Sequence, residues 1–213
     1  MKNNLFIILG IVLILFSAIY FVSIKHNHEI KREDALKVEK EFQDIIEEDE
    51  SAVIDEEKED DKSEDDTEPV ADEIRSEKAV AVIRIDKLKL LAQVFDNTDR
   101  ATLYEGVGII ETTDLPSSSL GTCSAIAGHR GGVNEDLSFL HIDQLENGDE
   151  VKVTTKDEVL VYKVTGSEVI EPDDWSKFTR DEDKSRLILM ACHPYPKNDK
   201  RILIYTELEK SEK

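Results

Sequence analysis

Three side chains in this sequence have the types and the settings that nucleophilic catalysis needs. Cys192 closes an apolar run, Leu187-Ile188-Leu189-Met190-Ala191, and two prolines, Pro194 and Pro196, follow it closely. A run without polar alternation suits a strand covered on both faces, and prolines stop its ladder, so the thiol is expected at the rim of a rigid sheet. Arg201 opens the next apolar run, Ile202-Leu203-Ile204-Tyr205. Antiparallel pairing of the two runs would return its guanidinium to the sulfur, where a cation favours thiolate and can neutralise an oxyanion. The acid/base that such chemistry also requires is offered by His129, which ends the run Ala125-Ile126-Ala127-Gly128 and precedes Arg130-Gly131-Gly132. His129, Cys192 and Arg201 are therefore the candidate catalytic residues, as general acid/base, nucleophile and oxyanion partner.

Neighbouring residues compete for these roles and are weaker candidates. Cys123 lies six positions before His129, about 20 Å away if the intervening chain is extended, which is too far to bridge Cys192 at the His129 end. Successive strand side chains diverge, so Arg130 should turn away from His129 and His193 away from Cys192. His193 and His141 are expected at the surface or the rim of the site. With two cysteines and no ligand-type spacing, a zinc site is not expected. Glu111, Asp114, Glu135 and Asp136 are acidic loop residues of the kind that bind calcium, but they match no defined calcium loop. No cofactor is expected.

The elements that would position these groups begin near Ala79, where the chain turns abruptly β-prone. Strands are expected over residues 79–85, 88–95, 124–128, 150–154, 158–170, 186–192 and 202–207, with short helices over 99–104 and 136–145. Many short strands punctuated by Gly and Pro indicate a mainly β fold, a small closed or nearly closed barrel. Ahead of it, residues 5–24 are apolar and free of formal charge, long enough as a helix to span about 30 Å of hydrocarbon. This reads as a retained anchor rather than a signal peptide, because Tyr20, Phe21 and Ile24 spoil a small-residue cleavage site. The expected organisation is an anchor over 1–24, an acidic and largely disordered linker over 25–78, a catalytic domain over 79–208 and a tail over 209–213. Ile30, Leu36, Phe42, Ile45 and Ile46 could form one amphipathic helix in the linker, and residues 47–67 should repel themselves into an extended spacer. A formal charge of −21 over 213 residues excludes nucleic acid as a natural partner.

The Ala-Gly-His-Arg-Gly run, the strand ending in Cys192 and Arg201 nine positions later resemble the sortases, membrane-anchored cysteine transpeptidases of Gram-positive surfaces. Glu105-Gly106-Val107-Gly108, Asp114-Leu115-Pro116, Leu120-Gly121-Thr122 and residues 139–149 agree with that family's surroundings of the histidine and the turn that follows. One departure is Ala191 before Cys192, where many sortases have threonine. Around His129 and the Cys192 to Arg201 loop the chain is closest to pilin-type (class C) sortases, while the single anchor and the absent Asp-Pro-aromatic lid are as in class A. The resemblance implies an eight-stranded β-barrel on the outer side of the plasma membrane, held by a single-pass helix. It also implies cleavage of an LPXTG-type sorting signal between Thr and Gly, through a thioacyl-enzyme. The partners implied are secreted proteins with C-terminal sorting signals and an acceptor amine on a peptidoglycan precursor or a pilin lysine. A hydrolytic cysteine peptidase and a non-catalytic surface binding module are the alternatives.

Overall fold

The structure is a computed structural model that describes residues 2–52, 79–131 and 138–212. Eight strands close into a barrel: β1 (Ala79–Ile85), β2 (Leu90–Phe95), β3 (Val107–Ile109), β4 (Cys123–Gly128), β5 (Glu150–Thr155), β6 (Val159–Ile170), β7 (Arg186–His193) and β8 (Lys200–Glu212). Round the barrel they run β1-β2-β3-β4-β7-β8-β6-β5. The β2–β3 and β4–β7 pairs are parallel and the others antiparallel. Side-chain alternation sorts β7 into two layers. Leu187, Leu189 and Ala191 join the barrel interior with Phe139, Tyr162 and Ile204, while Ile188 packs outside with Ala125, Ala127 and Leu203. The unbroken apolar run before Cys192 is thus a strand buried on both faces.

The structure extends some sequence expectations and corrects others. Val107–Ile109 forms a strand that no alternation announces. Gly108 sits in it because a Cβ there would fall 1.9 Å from the Asn97 carbonyl oxygen. The helix expected over 136–145 is reduced to a 3-10 turn, Ile142–Gln144, with residues 132–137 outside the described residues. Its backbone is engaged elsewhere: the Phe139 N–H donates to the His129 carbonyl at 2.9 Å, and the Leu140 carbonyl accepts from Arg130 Nε at 3.1 Å. The tail continues β8 as far as Glu212. Lys210, Ser211 and Glu212 pair with Val161, Leu160 and Val159, supplying partners for backbone that β6 would otherwise leave open.

The largest correction concerns the linker. Helix α1 runs from Lys2 to Ala52 without interruption, so residues 25–52 are helical; residues 53–78, including the rest of the expected spacer, lie outside the described residues. The helix is long and apolar enough to cross a membrane, and Phe6 and the large side chains between Ile11 and Val22 stand exposed on the isolated chain. Further along, Lys31, Ala35, Val38, Glu39, Phe42 and Ile46 are buried. Their spacing places them on one face, leaving Glu33, Asp44, Glu47, Glu48 and Asp49 outward. Ile30, Leu36 and Ile45, expected in that stripe, are exposed, because small Ala35 and Val38 let the helix approach the sheet instead. Ala35, Val38 and Phe42 meet Ala79, Val82, Leu91 and Phe95 on the outside of β1 and β2. Polar contacts fix the docking at both ends of this patch: Arg84 forks onto the Glu39 carboxylate, and Lys31 Nζ reaches the Tyr104 carbonyl at 2.9 Å and Glu105 at 3.2 Å. Tyr104 and Glu105 belong to α2 (Arg100–Glu105), the short helix before β3.

Phe42→Ala should remove one anchor of this docking, at a cost of about 3 kcal/mol by the usual scale for a buried aromatic. In hydrogen-exchange mass spectrometry, protection should fall around residues 39–46 while the β7 core keeps its own. Unchanged protection in α1 would show that the helix is held by something other than this apolar face.

Candidate active site

The three residues singled out by sequence lie level with one another at one end of neighbouring strands. The parallel β4–β7 register ends with Gly128 opposite Ala191, so His129 and Cys192 follow at the same level. In the β7–β8 pair, Cys192 stands directly opposite Arg201. With strands about 4.8 Å apart, His129, Cys192 and Arg201 span three adjacent rows of roughly 10 Å. Alternation puts them on one face. Ala191 and Ile202 belong to the interior cluster, so Cys192 and Arg201 face outward, and His129 follows outward-facing Ala125 and Ala127. His129 is exposed and Cys192 half-buried, as a reactive group open to a substrate should be. The Arg201 guanidinium lies at the rim, where Nη1 donates to the Lys200 carbonyl at 2.9 Å.

Several close contacts build the histidine side. A Cβ on Gly128 would fall 2.7 Å from Phe139, so glycine lets that buried ring pack beneath the strand end. The Phe139 N–H then holds the His129 carbonyl. Gly131, at φ +86°, lies under the Tyr195 ring, bringing the loop after β7 across the loop after β4. Arg130 turns away from His129, as alternation requires, but it is not a surface charge. It is 8% exposed and donates to the Leu140 carbonyl, to Asp143 at 2.6 Å and to His193 Nδ1 at 2.6 Å. Sequence reading left His193 at the rim and missed this pairing. Its only signal was positional: each partner follows a candidate catalytic residue.

Below the thiol, the outside of β4 and β7 is a buried apolar layer in which Ala125, Ala127, Ile188 and Leu203 pack with Ile110, Ile170 and Phe178. Phe178 comes from the β6–β7 connection, which Glu168 secures by accepting from Lys177 at 2.7 Å and from the Tyr205 hydroxyl at 3.0 Å. Burial, then that carboxylate, pushes the Tyr205 phenol up to about 12, so it remains a donor. Cys123 lies at the far end of β4. Both cysteines are free, and Cys123 is 3% exposed with its thiol pushed up by burial. Asp114 accepts from the Cys123 N–H at 2.9 Å and from Arg180 at 2.5 Å; of the other acidic loop residues, Glu135 and Asp136 lie outside the described residues. His141 is exposed and meets Gln144 at 3.2 Å, apart from the three candidates.

A closed eight-stranded barrel with cysteine, histidine and arginine at one strand level defines a class, and the comparisons agree with it. Residues 83–209 match the sequence model of the sortase domain, more than half of the chain, so the chain belongs to the sortase family. It is 26% identical over 131 residues to Sortase D of Bacillus subtilis (strain 168), a match covering 60% of this chain and 63% of that relative. The chain thus matches less than two thirds of that relative's length. Among solved structures, sortase C from Clostridium perfringens SM101 is 29% identical with a TM-score of 0.56, over 61% of this chain and 68% of the other. Sortase A from Corynebacterium diphtheriae is 30% identical with a TM-score of 0.60, over 62% and 61%.

Because Arg130 is enclosed and Arg201 stands at the rim, their substitutions should separate in melting experiments. Arg130→Lys forfeits the planar fork and should lower stability by about 1–3 kcal/mol, whereas Arg201→Lys should stay within about 0.5 kcal/mol of the parent. Iodoacetamide should modify Cys192 in the folded protein and reach Cys123 only on unfolding, read by peptide mass. Equal rates at the two thiols would contradict the burial described here.

Proposed function

We propose that this chain is a cysteine transpeptidase that cleaves an LPXTG-type sorting signal between Thr and Gly and transfers the protein to an amine. The observation that carries this reading is the outward alignment of His129, Cys192 and Arg201 at one end of three adjacent strands. The Cys192 thiolate attacks the Thr carbonyl, the carbon–nitrogen bond to Gly breaks, and His129 gives its proton to the departing amine. The thioacyl-enzyme that remains is resolved by an incoming amine, which His129 deprotonates as the sulfur leaves. Arg201 holds the peptide and stabilises the oxyanion.

Membership in the sortase family supports secreted proteins with C-terminal sorting signals as donors. The acceptor amine is that of a peptidoglycan precursor or a pilin lysine. The apolar part of α1 serves as a single-pass anchor in the plasma membrane, with the barrel on the extracellular side.

The test uses the full chain in detergent micelles with sorting peptides and with Gly-, Ala- or Lys-type amines. Mass spectrometry should find a thioester on Cys192, and amines should divert product from acid to amide. Cys192→Ala should form no thioester, and Arg201→Lys should lose about 10²–10³ in kcat/KM. Acid alone at every amine concentration would make the chain a hydrolytic peptidase, and no thioester with any sorting peptide would leave a binding module.

A further inference from the structure

The β4–β7 register ends at Gly128 and Ala191, one residue short of His129 and Cys192. The two groups on which the proposed chemistry depends therefore lie just past the paired part of two strands that are far apart in sequence. Beyond that point a side-chain bridge crosses from one strand end to the other. Arg130, the residue after His129, meets His193, the residue after Cys192, at 2.6 Å between Nη1 and Nδ1. Both turn to the side opposite the reacting groups, so the bridge runs behind them. It is also anchored: the same guanidinium donates to the Leu140 carbonyl at 3.1 Å and to Asp143 at 2.6 Å, and its side chain is 6% exposed.

We propose that Arg130 and His193 are positioning residues, a strut that fixes the spacing of His129 from Cys192. The inference rests on the transpeptidase reading only for its kinetic consequence. The chemistry of the pair sets its terms. Guanidinium has donors and no acceptor, so His193 must present an unprotonated Nδ1 and carry its proton on Nε2. An asparagine at 193 would place a carbonyl oxygen the same number of bonds from the backbone as Nδ1, and so keeps an acceptor for Arg130; alanine removes it. Arg130 is the poorer probe, since it also holds Leu140 and Asp143 and its loss endangers the fold.

A displacement on the order of 1 Å between reacting groups costs about 10²-fold in rate. His193→Ala in the full chain should therefore lower kcat for thioester formation by about tenfold to a hundredfold with KM for the peptide unchanged. His193→Asn should recover most of the loss, with melting curves showing both variants folded. A parent-like kcat in His193→Ala, an equal loss in folded His193→Asn, or a change confined to KM would each overturn the strut.

A second readout needs no turnover. In NMR spectra of the full chain in micelles, the imidazole resonances of His129, on the neighbouring strand, should shift in His193→Ala and return in His193→Asn. If the parent turns over no peptide while these resonances behave as described, the transpeptidase reading fails and the strut stands. If His129 is indifferent to residue 193, the strut fails whatever the activity.

Discussion

Parallel strands cannot be joined by a tight turn, so a parallel pair brings together parts of a chain that are distant in sequence. One such pair in this protein is β4 with β7, and the site depends on its register. From Cys123 opposite Arg186 to Gly128 opposite Ala191 the pairing is continuous. A slip of one residue would turn every side chain of one strand to its other face, sending either the imidazole or the thiol into the barrel. Burial enforces the register on both sides, since the inward residues enter the main core and the outward ones the second apolar cluster. The antiparallel β7–β8 pair then adds Arg201. The proposed acid/base, nucleophile and oxyanion partner are thus delivered at the ends of rigid strands.

The supporting contacts lie behind this row. Phe139 fills the space that Gly128 leaves, its N–H holds the His129 carbonyl, and Arg130 reaches from the strand end to His193, beside Cys192. On the outer side, Glu168 secures the connection that packs Phe178 against the second apolar cluster. The reacting side chains make few contacts of their own among the described residues, while the residues next to them in sequence make many. Such a division leaves the reacting groups accessible without leaving their backbones loose.

Much of this was legible in the sequence because period and punctuation coincide there. Five apolar residues before Cys192, stopped by Pro194, can be little other than a covered strand reaching its rim. The run at Ala125 to Gly128 and the antiparallel return to Arg201 followed the same logic. The elements missed had signals that other forces overrode. Val107–Ile109 is too short and too rich in glycine for alternation to show, and it is a strand because neighbours on both sides need partners. Residues 25–52 looked like linker because acidic residues dominate their composition, yet a helix needs only one apolar stripe, and Ala35, Val38 and Phe42 provide it. The partnership of Arg130 with His193 could not be read at all, since it depends on which inward side chains a turn brings across the barrel mouth.

Helix α1 has a mechanical consequence. If residues 5–24 lie in a bilayer, as proposed, only about 10 Å of helix separates Ile24 from Lys31, where contact with the barrel begins. A flexible tether would let a catalytic domain roam a hemisphere. A docked helix acts as a boom: it allows rotation about the membrane normal but holds the thiol at one altitude, so that the enzyme sweeps a ring. Substrates on such a surface would be sorted by how far their scissile bond stands above the lipid, a geometric filter independent of peptide sequence.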